Sequence, residues 1–207
     1  MLSDRINSLP ASATLAMAAK ARELKSQGVD IIGLSLGEPD FNTPEFIKDA
    51  AIQAVKDNYN SYSPVDGYAD LKEAICNKFK RDNGLDYKPS QVVVSTGAKQ
   101  SIANLCMVLL NPGDEVLLPA PYWVSYSAIA TLAEAKSIII PSSIETDFKI
   151  TPEQLEAAIT PKTKLVMFNS PNNPSGTIYT EAEYRALGKV LEKYIFNTRR
   201  TWRTTLR

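Results

Sequence analysis

Four short polar segments of the chain could bind a small ligand. The segment STGAKQ (residues 95–100) joins an apolar run to a helical pattern through Gly97. The amides of Gly97, Ala98 and Lys99 would then point from a helix N-terminus, which is a ready site for phosphate. Strand–glycine–helix junctions also occur where nothing binds, so this segment alone leaves both interpretations open.

Two further segments offer an indole and a carboxamide. APYWVSY (120–126) places Trp123 just beyond an apolar run, where its ring could lie flat on a planar ligand or pack in the core. SPNNPSG (170–176) follows the apolar run KLVMF (164–168). Its prolines restrict the backbone, so Asn173 could donate to a ligand oxygen without a large ordering cost. A simple tight turn is the alternative.

The first 70 residues hold two weaker candidates. In LGEPDF (36–41), Gly37 would let a ligand carboxylate approach the backbone without meeting a Cβ atom, although a plain turn explains it equally well. In NSYSPVDGY (60–68), the hydroxyl of Tyr62 could reach a phosphate, and surface packing is the other interpretation.

The composition excludes several kinds of chemistry within these 207 residues. There is no histidine, which excludes Ser-His-Asp and Cys-His catalysis and histidine-based metal sites. Cys76 and Cys106 lie among helical apolar neighbours, which favours burial over a disulfide and indicates a cytoplasmic protein. No apolar stretch approaches the roughly 20 residues of a membrane span. We therefore expect neither a metal site nor a membrane partner.

Strand and helix patterns alternate from about residue 90. Strands are predicted at 91–95, 115–119, 136–141 and 164–168, and helices at 98–110, 122–134, from Thr151 and from Thr180 to about Tyr194. This alternation predicts an α/β protein with a mainly parallel sheet covered on both faces. Ligands of such sheets bind beyond the carboxyl ends of the strands. Earlier in the chain, helices are predicted at 14–27, 43–57 and 69–82, with an extended segment at 29–37.

In this order, LGEPDFNTP, STGAKQS, PAPYW and SPNNPSG resemble the corresponding segments of class I aminotransferases, and especially of bacterial aspartate aminotransferases. That family uses pyridoxal 5'-phosphate (PLP) and has fold type I. The resemblance runs from about residue 1 to 193. It implies an N-terminal arm with part of a small domain (1–45), followed by the first part of a large PLP-binding domain (46–193). The sheet would be truncated before it is complete.

The resemblance implies a coenzyme-binding role for five of the candidates. Ala98 and Lys99, beside Gly97, would supply amides to the PLP phosphate. Trp123 would stack on the pyridine ring, and Asn173 would donate to the phenolic oxygen of the coenzyme. These roles agree with what PLP requires, namely a cradle for a dianion and a clamp for a planar ring.

The resemblance also implies substrate contacts and a second subunit. Gly37, Trp123 and Asn173 would lie at the amino-acid substrate, and Tyr62 would reach the coenzyme phosphate of the partner subunit in a homodimer. The implied reaction moves an amino group between L-aspartate, or a similar amino acid, and 2-oxoglutarate.

The lysine that forms a Schiff base with PLP in this family has no counterpart in the chain. Lys99 is no substitute, because its position belongs to the phosphate loop. No catalytic residue is therefore assigned, and we expect the 207-residue chain to be inactive alone. We also expect exposed apolar helix faces and poor solubility, because later strands of the family would complete the sheet.

The family pattern stops near Tyr194. Residues 194–207, YIFNTRRTWRTTLR, carry four arginines and no acid, and we interpret them as an aberrant basic tail on a truncated gene. Two alternatives stay open. One is another fold type I PLP enzyme, a lyase or a synthase. The other is a non-catalytic phosphate- or nucleic-acid-binding module, for which the tail predicts salt-dependent binding.

Overall fold

The computed structural model of the chain describes residues 2–9, 11, 13–33, 37 and 39–195. Its helices and strands are, in chain order, α1 (Asp4–Asn7), α2 (Ala13–Ser26), α3 (Glu45–Lys56), α4 (Ala69–Asn83), α5 (Ala98–Leu109), β1 (Glu115–Pro119), α6 (Ser125–Leu132), β2 (Lys136–Ile140), α7 (Pro152–Ala158), β3 (Thr163–Val166) and α8 (Glu181–Ile195). Short 3₁₀ turns occur at Pro89–Gln91 and Ile144–Thr146.

The three strands form one parallel sheet in the order β2–β1–β3. Leu117 in the central strand lies opposite Ile138 of β2 and Val166 of β3. The register with β3 shifts between Glu115 and Val116. Parallel strands connected by helices confirm the predicted α/β architecture.

The side chains of β1 alternate between two apolar layers. Val116 and Leu118 pack with Cys106 of α5 and with residues of α6. Leu117 packs on the opposite face, with Leu155 of α7 and residues of α8. All five residues of β1 are buried, as expected for a parallel strand covered on both sides. Because full burial of a leucine contributes roughly 1.5–3 kcal/mol, β1 anchors the core.

Capping boxes begin the two helices that cover one face of the sheet. At α7, Gln154 N–H donates to Thr151 Oγ1 (3.3 Å) and Thr151 N–H donates to Gln154 Oε1 (2.8 Å). At α8, Glu183 N–H donates to Thr180 Oγ1 (3.3 Å) and Thr180 N–H donates to Glu183 Oε2 (2.6 Å). Both helix starts predicted from the sequence are confirmed.

The predicted strand at residues 91–95 is wrong. A 3₁₀ turn ends at Gln91, and residues 92–95 follow without forming a strand. Val94 N–H donates instead to Asp66 O (3.1 Å), and Val94 Cγ2 would lie 2.5 Å from a Cβ atom on Gly67. A β-branched run favours a pleated surface but becomes a strand only beside a partner. No described strand lies beside residues 92–95.

Helix α6 is shorter than the predicted helix at 122–134. Its N-terminal boundary falls at Val124, and Tyr126 N–H donates to Trp123 O (2.9 Å). Its other end is fixed by Glu134, whose φ of 59° lies in the left-handed region. Trp123 is therefore in the loop between β1 and α6, at the start of the helix rather than within it.

The helices before residue 90 bury little of their surface. Helix α3 has no buried residue, and α4 has only Cys76. Phe46 and Val55 of α3 are largely exposed, which agrees with the expected exposure of apolar helix faces. Residues 34–36 of the predicted extended segment and 196–207 of the basic tail lie outside the described residues. The division into 1–45, 46–193 and 194–207 stays a prediction.

Cys76 and Cys106 are buried and unpaired, as predicted. Burial raises the pKa of the Cys106 thiol, so this side chain is not a reactive thiolate. In the part of the chain that the structure describes, no helix combines the length and apolar character needed to cross a membrane. The same residues contain no cluster of cysteine, aspartate and glutamate side chains that could hold a metal ion.

Candidate functional site

Three loops lie together beyond the carboxyl end of the central strand. We call them the glycine loop (residues 95–99), the tryptophan loop (120–124) and the asparagine loop (169–176). The ammonium of Lys99 in the first loop contacts the Trp123 ring of the second. The second is hydrogen-bonded to the third through Asn172. Side chains from three separate segments thus meet at the edge of the sheet where parallel folds bind ligands.

The glycine loop begins helix α5 and leaves the amides of Ala98 and Lys99 available. The expectation that the Gly97 amide is also available is wrong, because Gly97 N–H donates to Ser95 O (2.8 Å). Gly97 is the N-cap residue, with φ of 83° and no side-chain capping bond. Because a positive φ disfavours any residue with a Cβ atom, glycine suits this turn. Ala98 and Lys99 are exposed and carry the first helical N–H groups. An uncapped N-terminus of this kind attracts anions through these donors and the helix dipole.

Lys99 links the glycine loop to the tryptophan loop. Its Nζ atom lies 5.0 Å from the centroid of the Trp123 ring, within the range of a cation–π interaction. The backbone of Lys99 therefore belongs to the helix N-terminus while its side chain extends to the indole. The assignment of Lys99 to a phosphate loop stays a prediction.

Trp123 packs in the core, which is one of the two roles that its sequence context left open, and its stacking on a ligand stays a prediction. It is half-buried and packs against the apolar layer formed by α5, α6 and β1. Its ring meets that of Tyr126 edge-on, with centroids 5.6 Å apart. Burial raises the pKa of Tyr126, so the phenol next to the indole stays neutral at physiological pH. The core thus holds the indole in place while part of it stays accessible.

The asparagine loop is organised by its own side chains. Asn169 Nδ2 donates to Pro171 O (2.9 Å), and Asn169 Oδ1 accepts from Asn173 N–H (3.4 Å). Asn173 itself is exposed, and its carboxamide has no hydrogen-bond partner among the described residues. The loop therefore fixes the backbone of Asn173 and leaves its side chain free for a ligand.

Asn172 connects this loop to its neighbour. Its Nδ2 atom donates to Pro121 O (3.3 Å), and its Oδ1 atom accepts from Ser175 N–H (3.0 Å) and Ser175 Oγ (2.9 Å). Its backbone N–H donates to Thr177 O (2.9 Å), and its carbonyl accepts from Gly176 N–H (2.8 Å). This one residue closes the loop and joins it to the tryptophan loop.

Tyr179, three residues after the asparagine loop, connects the loop to the opposite face of the sheet by hydrogen bonds. Tyr179 N–H donates to Ser170 Oγ (2.9 Å), and the buried Tyr179 hydroxyl accepts from Ile150 N–H (2.9 Å). Lys149 Nζ lies 3.1 Å from a carboxylate oxygen of Glu183. A backbone hydrogen bond from Thr180, and then Lys149, lowers the pKa of that carboxyl. The loop is therefore held at both ends.

Residues 29–197 match the family model for class I and II aminotransferases. This match covers most of the chain.

The chain belongs to that aminotransferase family.

Named relatives agree with this family. The chain is 53% identical to the aspartate/prephenate aminotransferase of Nitrosomonas europaea over 193 residues, which are 93% of this chain and 49% of that protein. It is 51% identical to the aspartate aminotransferase of Bacillus subtilis over 189 residues, 91% of this chain and 48% of that one. The chain thus spans about half the length of the curated relatives it matches.

A solved structure shows the same fold. The aspartate aminotransferase from Thermus thermophilus with maleate superposes with a TM-score of 0.90 at 42% identity, covering 94% of this chain and 51% of that one. The aminotransferase chain described above therefore has fold type I, with its parallel sheet flanked by helices.

The donor set of this aminotransferase chain fits PLP, the coenzyme of the family. The coenzyme's phosphate requires several N–H donors, and the uncapped start of α5 offers those of Ala98 and Lys99. Its ring requires a flat partner, and Trp123 is a half-buried indole held on two sides by Lys99 and Tyr126. Its phenolic oxygen requires a donor, and the Asn173 carboxamide has no other partner among the described residues.

The structure does not bring Gly37 and Tyr62 into this cluster. Gly37 is exposed with open space around its Cα atom, and residues 34–36 and 38 beside it lie outside the described residues. The side chain of Tyr62 is fully exposed. The roles that the resemblance implies for these two residues stay predictions.

Sequence reasoning singled out Asn173 and overlooked Asn172. The signal was present, because three asparagines in one loop exceed what a tight turn requires. Asn169 and Asn172 organise the loop, and Asn173 has the free carboxamide. Only the hydrogen bonds show which asparagines organise the loop and which one keeps its carboxamide without a partner.

Proposed function

We propose that this chain is the coenzyme-binding half of a PLP-dependent aminotransferase. The observation that carries the proposal is the contact between three loops in a chain of this family. They carry an uncapped helix N-terminus, a half-buried indole and a carboxamide without a partner among the described residues. Bound there, PLP would act as the electron sink for amino-group transfer. The chain's own residues would bind and orient it.

Each residue in the cluster has a distinct task in this proposal. The amides of Ala98 and Lys99, beside Gly97, bind the phosphate. Trp123 holds the ring plane, and its cation–π contact with Lys99 keeps the indole from turning away. Asn173 donates to the phenolic oxygen. Because the asparagine loop already fixes the backbone of Asn173, little entropy is lost when the ligand binds.

The proposed substrates are L-aspartate and 2-oxoglutarate, which would yield oxaloacetate and L-glutamate. Two observations support a dicarboxylic substrate. Relatives about half identical to this chain are named aspartate or aspartate/prephenate aminotransferases. The superposed Thermus protein was solved with maleate, a dicarboxylate. Gly37 would admit the substrate carboxylate to the backbone beside Trp123 and Asn173.

The proposed full-length protein is a homodimer in which Tyr62 serves the neighbouring site. A fully exposed tyrosine, distant in sequence from the three loops, is free to reach another subunit. Subunit mixing tests this idea in an active full-length protein. Tyr62→Phe and Asn173→Ala subunits, each weak alone, would regain activity when mixed, because one site of each hybrid has both intact residues. Equal activity before and after mixing would argue for sites within one subunit.

Binding by the chain itself is tested with pyridoxamine 5'-phosphate, which has no aldehyde and cannot condense with lysines. A Trp202→Phe background leaves Trp123 as the only indole. We expect saturable quenching of Trp123 emission that inorganic phosphate reverses. Asn173→Ala should weaken binding about tenfold, as for loss of one hydrogen bond to a charged oxygen. Asn77→Ala, an exposed asparagine of α4, is the matched control. Linear, non-saturating quenching would refute the coenzyme site.

Activity is tested in a chimera that joins residues 1–193 to the second half of the Bacillus subtilis relative. We expect oxaloacetate to form from L-aspartate only when 2-oxoglutarate is present. Loss of the substrate's amino group without formation of glutamate would favour the lyase or synthase alternative. The 207-residue chain alone should form no oxaloacetate, because the family resemblance assigns Lys99 to the phosphate loop and no other lysine of the chain to the proton transfer. Turnover by that chain would contradict this assignment.

A further inference from the structure

The tryptophan loop is fastened on both sides by side chains that donate to its carbonyls. On the β2 side, Ser142 Oγ donates to Ala120 O. On the β3 side, Asn172 Nδ2 donates to Pro121 O (3.3 Å). These carbonyls lie two and three residues before Trp123. The position of the indole therefore depends on a segment after β2 and on the asparagine loop after β3.

Asn172 differs from Ser142 because it also belongs to a ligand-binding loop. Its Oδ1 atom accepts from both the N–H and the hydroxyl of Ser175, and the following residue is Asn173. A displacement of the asparagine loop would therefore be transmitted through Asn172 to the tryptophan loop. Ser142 has no such connection to Asn173 among the hydrogen bonds of the described residues.

We propose that Asn172 is a positioning residue that holds the ring clamp and the oxygen donor of the coenzyme site in a fixed relation. It acts through Trp123 and Asn173. This inference rests on the proposed function.

The chemistry of the position requires a carboxamide. The side chain donates through Nδ2 and accepts through Oδ1 at the same time. Aspartate has the same shape but only acceptors, so it would keep the bonds from Ser175 and place a charged oxygen against the Pro121 carbonyl. Asn172→Asp therefore breaks the connection between the loops and leaves the internal bonds of the asparagine loop intact.

The experiment measures binding of pyridoxamine 5'-phosphate to the 207-residue chain by the emission of Trp123 in the Trp202→Phe background. We expect Asn172→Asp to weaken binding about tenfold. Added to Asn173→Ala, it should cost less than it does alone, because one of the two groups that Asn172 holds in relation is then missing and only the position of Trp123 still depends on it. Ser142→Ala should show no such dependence and add its full effect to that of Asn173→Ala. Unchanged binding in Asn172→Asp, or full additivity with Asn173→Ala, would overturn the inference.

Two further measurements separate this inference from the proposed function. If the parent chain binds the probe and Asn172→Asp binds it equally well, the inference fails and the coenzyme site stands. If the parent does not bind the probe, the proposed function fails. The ligand-free emission of Trp123 then tests whether Asn172 connects the two loops. A shift to longer wavelength in Asn172→Asp would support the connection between the loops, and an unchanged spectrum would overturn it. If Asn172→Asp does not fold by circular dichroism, Asn172→Ser replaces it. It removes the reach to Pro121 without adding charge.

Discussion

The region before the glycine loop and the region after α5 differ in how they use apolar side chains. Residues 2–94 form four helices, yet their described residues include only two buried ones, Ala18 and Cys76. Residues 111–195 surround a three-stranded sheet and contain most of the buried residues. Helices form in both regions because helix signals are local. Burial requires a second surface, and in the described residues only the sheet provides an extensive one.

Helices α3 and α7 show the difference most clearly. Helix α7 has seven residues, a capping box and the buried Leu155. Helix α3 has twelve residues, no side-chain cap and no buried residue. An isolated helix of about this length is marginal in water, so its stability depends on packing. The shorter helix is therefore the more firmly held.

Hydrogen exchange should show the largest contrast between the regions. We expect the amides of β1 to exchange at least about a thousandfold more slowly than those of α3, because β1 opens only with the whole core. Exchange monitored by mass spectrometry on peptides covering Glu115–Pro119 and Glu45–Lys56 provides the measurement. Equal protection in both peptides would mean that α3 is packed against a surface.

A matched pair of valine truncations should give the next largest difference. Val116 is 0% exposed and Val55 is 77% exposed. Val116→Ala should lower the free energy of unfolding by about 2 kcal/mol, from lost apolar burial and the cavity left behind. Val55→Ala should change it by less than about 0.5 kcal/mol. Urea denaturation curves for the two variants test the contrast, which disappears if both lose equal stability.

Removal of a helix cap should have a smaller effect. Thr151→Ala deletes the hydroxyl that accepts from Gln154 N–H and should cost about 1 kcal/mol of unfolding free energy. Thr43→Ala, just before the uncapped start of α3, is the control and should be nearly neutral. Thermal unfolding followed by circular dichroism measures both. A larger loss for Thr43→Ala would reveal a cap at α3.

Protonation of Glu183 in acid should lower the stability of the sheet region, and this is the smallest of the four effects predicted for the two regions. Its pKa is held below the ordinary 4.5 by the Thr180 backbone and by Lys149. A carboxyl with a lowered folded pKa adds stability above its unfolded pKa, and this is lost as the pH falls through the folded value. Glu183→Gln should therefore flatten the decline in melting temperature below about pH 4.5. Glu45→Gln on α3 is the control, and an identical decline in both variants would contradict this role.

Much of the α/β region could be predicted from the sequence because its signals are local. Apolar runs mark β1 and β2, and Thr151 and Thr180 mark two helix starts through side chains three residues away. The run at 91–95 has three consecutive valines but forms no strand, because pairing depends on a distant segment. Composition alone does not supply that partner.

Individual residues of the site could be predicted from the sequence, but the contacts between them could not. Turn chemistry identified the segments that contain Gly97, Trp123 and Asn173. The contact of Lys99 with the indole and the hydrogen bond from Asn172 to Pro121 join residues more than 20 positions apart. Such contacts depend on strand order, which no local pattern contains. For the same reason, the sequence could not show whether Gly37 and Tyr62 lie near the three loops.

The pairing of the central strand with β3 sets a delay during protein synthesis before the sheet can form. Val116 lies opposite Leu165, so β1 cannot gain its second neighbour until that later segment has left the ribosome. At a synthesis rate of about 5–20 residues per second, the roughly 50 intervening residues take about 3–10 s. For those seconds a largely apolar strand has at least one unpaired edge, which exposes the nascent chain to wrong strand pairing.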